Sequence, residues 1–471
     1  NQTDFYFSYF THFKVYNIFM NNNDNIFFIS KETLIKKAEL MLEIAKSEGI
    51  RDANIEISES NGFSVGVRKL NVETIEKTRE KNALITVFNG HRKGYAQTSN
   101  FSKNAIRDTV LKAIDIAKYT AEDPFSGLPE KKDLEFSPDY LPLFFQWNLS
   151  PEEAIEIALT AENASFEVSQ QIKNSDGASL SSSHSHFYMM NTKGFQGGYS
   201  HTRHALSVAP IAHYKNEMER DFWYTSDRNP LKLSNPKDVG YYAAKRALSR
   251  LGSKKISTRN APILFDAPLS SALMGSFVQA VSGSALYKKL SFLNESIGKL
   301  IFSPHIQIHE NPFIKGGIGS TPFDDEGVKV KKRNIVEDGQ VREYFLSSYS
   351  AKRLKMKTTG NAGGSHNLRM FSSLTLPNDN LEVMLDKLDT GFFVTELMGQ
   401  GVNGVTGDYS KGASGFWVEK GKIIHPVSEV TIAGNLKTMF KNIIAIGADE
   451  CIRGNKTCGS ILIKKMTVAG T

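Results

Sequence analysis

Residues 390–435 read TGFFVTELMGQGVNGVTGDYSKGASGFWVEKGKIIHPVSEVTIAGN. Short runs of Val, Ile, Phe and Trp alternate with glycines, of which Gly399, Gly401, Gly404, Gly407, Gly412 and Gly415 are closely spaced. Branched and aromatic side chains favour a pleated surface, whereas glycine supplies positive φ and admits another backbone at close range. The pattern predicts bent strands and tight loops around something held at backbone distance. A linker would lack the apolar runs. Glu396, Gln400, Asp408, Tyr409, Glu419, His425 and Glu429 lie in or beside these strands and are candidates for lining a cleft. Glu419-Lys420-Gly421-Lys422 predicts a type I turn with Gly421 left-handed in a G1 bulge.

The sequence before this stretch predicts a strand, APILFD, a helix over SSALMGSFVQAVSG, and a hairpin turning at Asp338-Gly339. A short helix near LEVMLDKL leads into the stretch, and NIIAIGADECIRGNKTCGSILIKKMTVAG closes a β-rich C-terminal domain over 256–471. In the N-terminal half, Ser30, Ser102 and Ser150 are N-caps of three helices. Between the first two, ANIEISES, GFSVGVRKL, NVETIEKTRE and NALITVFNG predict an antiparallel meander punctuated by Asn-Gly, with one further strand in HRKGYAQTSN. Residues 30–125 are thus an α+β domain of helix and antiparallel sheet. A mixed middle segment, 126–255, opens with a proline-rich connector. The overall class is α+β. Residues 1–29 are an N-terminal extension expected to be disordered, and the membership of 1–19 in the native protein is open.

The chain has 471 residues, 40% of them hydrophobic and 23% charged, which suits a soluble globular protein of two or three domains. Lys and Arg number 57 against 50 Asp and Glu, a net charge of +7 spread along the chain. A nucleic-acid footprint needs clustering on one face, so nucleic acid is disfavoured as a partner. Two cysteines, Cys451 and Cys458, supply neither a disulfide framework nor a four-ligand zinc site, and fit a reducing cytoplasm. No apolar run approaches the ~20 residues that span a bilayer.

The candidate chemistry is sparse. His184 and His186 share one face of a probable strand about 7 Å apart, but no third ligand accompanies them. In His305-Ile-Gln-Ile-His309-Glu310 the acid follows the second histidine, not the first as in HExxH, and alternation favours a strand. The sequence holds no GxSxG elbow and no Walker loop. The turn Asn361-Ala-Gly-Gly-Ser-His366 could hold an anion on its backbone N–H groups.

The segment ELMGQGVNGVTGDYSKGASGFWVEKGKIIHPVSEVTIAGNL, with STPFDDEGV, SSYSAKRLKMKTTGNAGGSHN and CGSILIKKMTVAG, closely resembles the TldD/PmbA family of metalloproteases (peptidase U62). The resemblance runs from about Ser30 onward. It implies a cytosolic zinc metalloprotease in which TldD-type chains carry HExxxH on a helix near the start of the C-terminal domain and pair with PmbA-type chains. The corresponding helix here, SSALMGSFVQAVSG, has neither His nor Glu, which places the chain in the branch lacking HExxxH. The resemblance therefore implies no catalytic residue, metal ligand or cofactor in this chain, with zinc and base supplied by a TldD-like partner in a heterodimer. It also implies an unfolded peptide laid along the glycine-rich wall, with Glu396, Gln400, Gly401, Asp408, Tyr409, Gly415 and His366 as its contacts. Rival expectations are a peptide-binding homodimer without proteolysis and a gyrase-associated regulator.

Overall fold

The computed structural model describes residues 26–470, so the expectations for 1–19 and most of the 1–29 extension fall outside it. Helix α1 (Lys31–Ser47) begins at Ser30, whose hydroxyl accepts the Thr33 N–H. Strands β1 (Asp52–Arg68), β2 (Asn71–Asn89) and β3 (Arg92–Thr98) follow, then α2 (Lys103–Tyr119), capped by Ser102, and α3 (Pro151–Phe166), with a full capping box between Ser150 and Glu153. Next come β4 (Ile172–Asn191), β5 (Gln196–Gly197), β6 (Ser200–Tyr214), β7 (Glu217–Arg220), β8 (Trp223–Asp227) and α4 (Pro236–Ser249). The first domain and the middle segment share one antiparallel sheet, ordered β3-β2-β1-β4-β6-β7, with β5 on β4 and β8 on β6.

The expected antiparallel meander is present as β1, β2 and β3, but β1 and β2 are long strands that each run through an expected break. Asn61-Gly62 is not a turn: β1 runs through it, with Gly62 opposite Thr78, whose hydroxyl would lie 2.5 Å from any added Cβ. The true turn is Lys69-Leu70, both at positive φ (50° and 58°). Side chains other than glycine resist that conformation. The carboxylate of Glu162, fully buried on α3, accepts both their N–H groups at 3.0 and 2.8 Å and fixes the turn from outside.

Odd-numbered residues of β1 face the helices. Ile55 and Ile57, with Ile85 and Val87, pack under α1 and α2. Val65 and Val67, with Leu180, Leu206 and Val208, pack under α3 and α4. Between the helix pairs, buried Glu59 accepts the N–H groups of Phe28 and Ile29, and Phe27 stacks on His186 at 3.8 Å. Ile26–Ile29, assigned from sequence to the disordered extension, is therefore anchored to the sheet.

The C-terminal half begins with β9 (Arg259–Phe265), α5 (Ala267–Ala280), α6 (Gly283–Tyr287), β10 (Ile306–Asn311), β11 (Arg333–Glu337), β12 (Gln340–Val341), α7 (Ser348–Arg353) and β13 (Asn367–Ser372). It ends with α8 (Leu381–Leu388), β14 (Gly391–Met398), β15 (Asp408–Glu419), β16 (Lys422–Asn435), α9 (Leu436–Lys441), β17 (Ile443–Ile446), β18 (Cys451–Arg453), β19 (Lys456–Cys458) and β20 (Ile461–Ala469). One sheet runs β12-β11-β10-β13-β19-β18 and the other β16-β15-β14-β9-β20-β17. In the second, Thr431–Ala433 of β16 also pair with β20, so five strands close on themselves. The turn at 420–421 has both residues at positive φ, the mark of type I′, and not the type I with bulge expected. Type I′ matches the twist of its strands. α5 contributes Leu273, Met274 and Phe277 to the core shared by the two sheets, and α8 covers the outer face at Phe393, Phe416 and Leu462. The halves are joined by Arg228, which donates to the carbonyls of Gly317 and Ile318, and by the Tyr349 hydroxyl donating to Asp123.

Candidate functional site

α5 starts where β9 ends, next to β14 and against the β18–β19 hairpin. Its sequence contains no charged residue, and Ala272 and Gln279 are exposed with Ser271, Gly275 and Ser276 half-exposed. Ahead of it stands Asp266, buried, its carboxyl pushed up to about 6 by burial against the opposing pull of Arg246. Arg246 and Arg250, one turn apart at the C-terminal end of α4, lie where a helix favours cations. Arg246 pairs with Asp221 at 3.2 Å and Asp266 at 3.5 Å, and donates to the Thr395 carbonyl. Arg250 reaches Glu396 at 2.6 Å and Glu219 at 3.2 Å. From the hairpin, Arg453 lies 4.3 Å over the Trp223 ring and 4.2 Å over Tyr224. The junction between α4, β8 and α5 is thus a charged and aromatic assembly drawn from both halves of the chain.

Of the residues named from the glycine-rich stretch, the structure brings only Glu396 to this junction. Gln400 is exposed on the loop beyond β14, and Asp408 is exposed with Thr406 and Asn435 as partners, whose hydrogen bonds lower its carboxyl. Tyr409 is buried, and burial raises its phenol well above the usual range. Gly401 and Gly415 do not leave room for a foreign backbone. An added Cβ would sit 1.5 Å from the Ser410 carbonyl oxygen at Gly401 and 1.9 Å from that of Phe393 at Gly415, so both glycines serve pairing within this chain.

His366 lies elsewhere, on a second polar assembly under β10 and β13. The NAGGSH turn does donate backbone N–H groups to carboxyl groups, and they are the protein's own. His366 N–H donates to Glu310 at 2.7 Å, and Ala362 N–H to Asp324 at 3.0 Å. Arg333, with its side chain 1% exposed, joins Glu310, Glu343, the Tyr344 carbonyl and the Asn361 side-chain oxygen. Above this floor opens a cavity of about 730 Å³ lined by His309, Asn334, Arg342, Asn367, Arg369 and Thr457. Another, about 700 Å³, lies between the α2 end and α7, by His91, Asp123, Glu326 and Tyr349.

Three histidines are tied to neighbouring groups. His204 joins Ser182 and the Phe145 carbonyl, and His186 joins Glu59. His305 bonds Ser372 and the Ile443 carbonyl. Sequence reasoning missed Arg246, Arg250, Asp266, Trp223 and Arg453. The Arg-x-x-x-Arg spacing of α4 was a usable signal, since residues four apart share a helix face. Nothing local connects Trp223 to Arg453.

Three family models match the chain in order: PmbA/TldA metallopeptidase domain 1 at 53–117, the central domain at 146–251 and the C-terminal domain at 258–470. The chain belongs to the PmbA/TldD metallopeptidase family. It is of the PmbA type, being 43% identical to Metalloprotease PmbA of Escherichia coli O157:H7 over 93% of this chain and 97% of that one. It is 39% identical to the Metalloprotease PmbA homolog of Haemophilus influenzae over 93% of this chain and 97% of that protein. TldE from Thermococcus kodakarensis shares the fold, with a TM-score of 0.81 at 18% identity over 92% of this chain and 100% of that one. At the family level the function is that of a protease, these curated relatives being named metalloproteases.

The family name implies a metal, and the donors around α5 do not suit one. Among the described residues no three His, Cys, Asp or Glu side chains gather where they could hold an ion. The Cys458 thiol is fully buried and burial raises it far above the usual thiol range, whereas metal binding needs the thiolate. Asp266 already faces the Arg246 guanidinium, a charge that repels a divalent cation. No helix among the described residues is long and apolar enough to cross a membrane.

Proposed function

We propose that this chain is the PmbA/TldE-like subunit of a cytoplasmic zinc metalloprotease that processes unfolded peptides. It shapes the path of the peptide, and a TldD-like partner supplies zinc and the general base. The observation that carries this reading is the makeup of α5 and its surroundings: a charge-free helix beside which Asp221, Asp266 and Glu396 are tied to arginines and Asp449 is held by Ser460. A carboxylate held by a guanidinium is poorly placed to take a proton from water. Such a junction is built to hold, not to hydrolyse.

The test is reconstitution with a TldD-type chain bearing HExxxH, scored for bound zinc and cleavage of an unfolded peptide. Cleavage only in the mixture, with zinc on the partner, is expected. Metal-dependent cleavage by this chain alone would overturn the division of labour, and a stable homodimer that binds peptide yet never gains activity would point to a binding protein.

A further inference from the structure

The β18–β19 hairpin sets Arg453 directly opposite Lys456. Like charges facing each other across an antiparallel pair are destabilising, and sheets avoid them without a compensating anion. Both residues are half-buried, and among the described residues neither has a carboxylate at ion-pair distance. The nearby acids are engaged: Asp221 and Asp266 by Arg246, Glu396 by Arg250, Glu450 by Arg369 at 2.8 Å, and Asp449 by the N–H and hydroxyl of Ser460. Among the described residues Lys456 Nζ finds only the side-chain oxygen of Asn455, at 3.0 Å. Burial lowers its affinity for a proton, an uncompensated cost.

Arg453 is held in place without being neutralised. Two rings, Trp223 and Tyr224, back its guanidinium, and among the described residues its one hydrogen bond goes to the Tyr224 carbonyl at 3.4 Å. Stacking fixes the plane of a guanidinium and leaves its N–H edges for a planar, bidentate acceptor. Alternation puts Arg453 and Lys456 on the hairpin face that carries Cys458, which packs at α5, so both cations share the α5 side of the hairpin.

We infer that Arg453 and Lys456 form an anion subsite beside α5 that takes a carboxylate of the bound peptide, either its C-terminus or an acidic side chain. This deepens the peptide-holding role proposed above and rests on it. The test measures fluorescence-anisotropy Kd values of the full chain for one extended peptide in three forms: free C-terminus, C-terminal amide, and amide with one internal Asp. Carboxylate forms are expected to bind about tenfold tighter than the amide, the worth of one charge-assisted pair. Arg453→Gln and Lys456→Gln should each abolish that preference, so that carboxylate and amide forms bind alike, and Arg453→Lys should restore only part of it. Whichever carboxylate form shows the preference identifies the source. An undiminished preference in both Gln variants overturns the subsite.

A second readout does not need the peptide. Acetate should raise the thermal midpoint of the wild type and not of Arg453→Gln. If acetate does so while no peptide form binds, the peptide reading fails and the anion site stands. If acetate stabilises wild type and variant alike, the subsite fails.

Discussion

Two arginine-centred assemblies in this protein solve the same electrostatic problem in opposite ways. Under β10, Arg333 and Glu310 are sealed from water, and every partner has a hydrogen bond: Glu310 receives Arg333, Asn361 and His366, and Asn361 also reaches the Gly364 carbonyl. At the junction, Arg246, Arg250 and Arg453 draw on both halves of the chain, with Glu396 and Glu219 partly open to solvent. Burial without full satisfaction is costly, so a closed assembly has to be complete, whereas an open one can hold charge in reserve. The first assembly is a floor, and the second is a surface that can receive something.

The comparison can be broken by substitution. Arg333→Ala leaves the Glu310 carboxylate buried and unpaired and should cost about 3–5 kcal/mol in urea unfolding, the largest effect expected here. Arg250→Ala should cost less, about 1–2 kcal/mol, because water can reach Glu396 and Glu219. Equal costs would mean that the junction is as closed as the floor.

Protons sharpen it further. His184 and His201 on the first sheet are each lowered to about 4 by burial. The unfolded imidazole takes its proton near pH 6.5, so each contributes stability above that pH that is lost as pH falls from 6.5 towards 4. His184→Asn should flatten part of that acid loss in thermal midpoints taken across the range. Asp266 has the reverse sign. Its folded carboxyl titrates near 6 and its unfolded one near 3.9, so the folded state holds the extra proton and stability falls as pH rises through that window. Asp266→Asn should remove this slope, the smallest of the four effects, because Arg246 opposes the shift. A wild-type minus variant difference that grows with pH would contradict it.

Local chemistry was readable in the sequence wherever one residue decides an outcome. Ser30, Ser102 and Ser150 cap the helices they were expected to cap, and Asp338-Gly339 turns its hairpin with both residues at positive φ. The Asn61-Gly62 reading failed because a glycine inside a strand can answer to a cross-strand side chain, here Thr78, as well as to a turn. Gly401 and Gly415 followed the same logic: the sequence shows that a backbone comes close but not whose it is. Glu396 was legible as a polar residue at a strand end. Its partner Arg250 was not, because the two meet only after α4 and β14 pack together. The Arg453–Trp223 contact likewise joins separate sheets.

The Lys69-Leu70 turn has a consequence for the order of events in folding. Most hairpins carry their own turn chemistry and can close early, within microseconds. This one is closed by Glu162, from a helix far along the chain. The register of the longest strand pair therefore waits for α3 to dock, a non-local contact that slows folding. A fragment ending before Pro151 would contain both strands but lack the residue that fixes where they reverse.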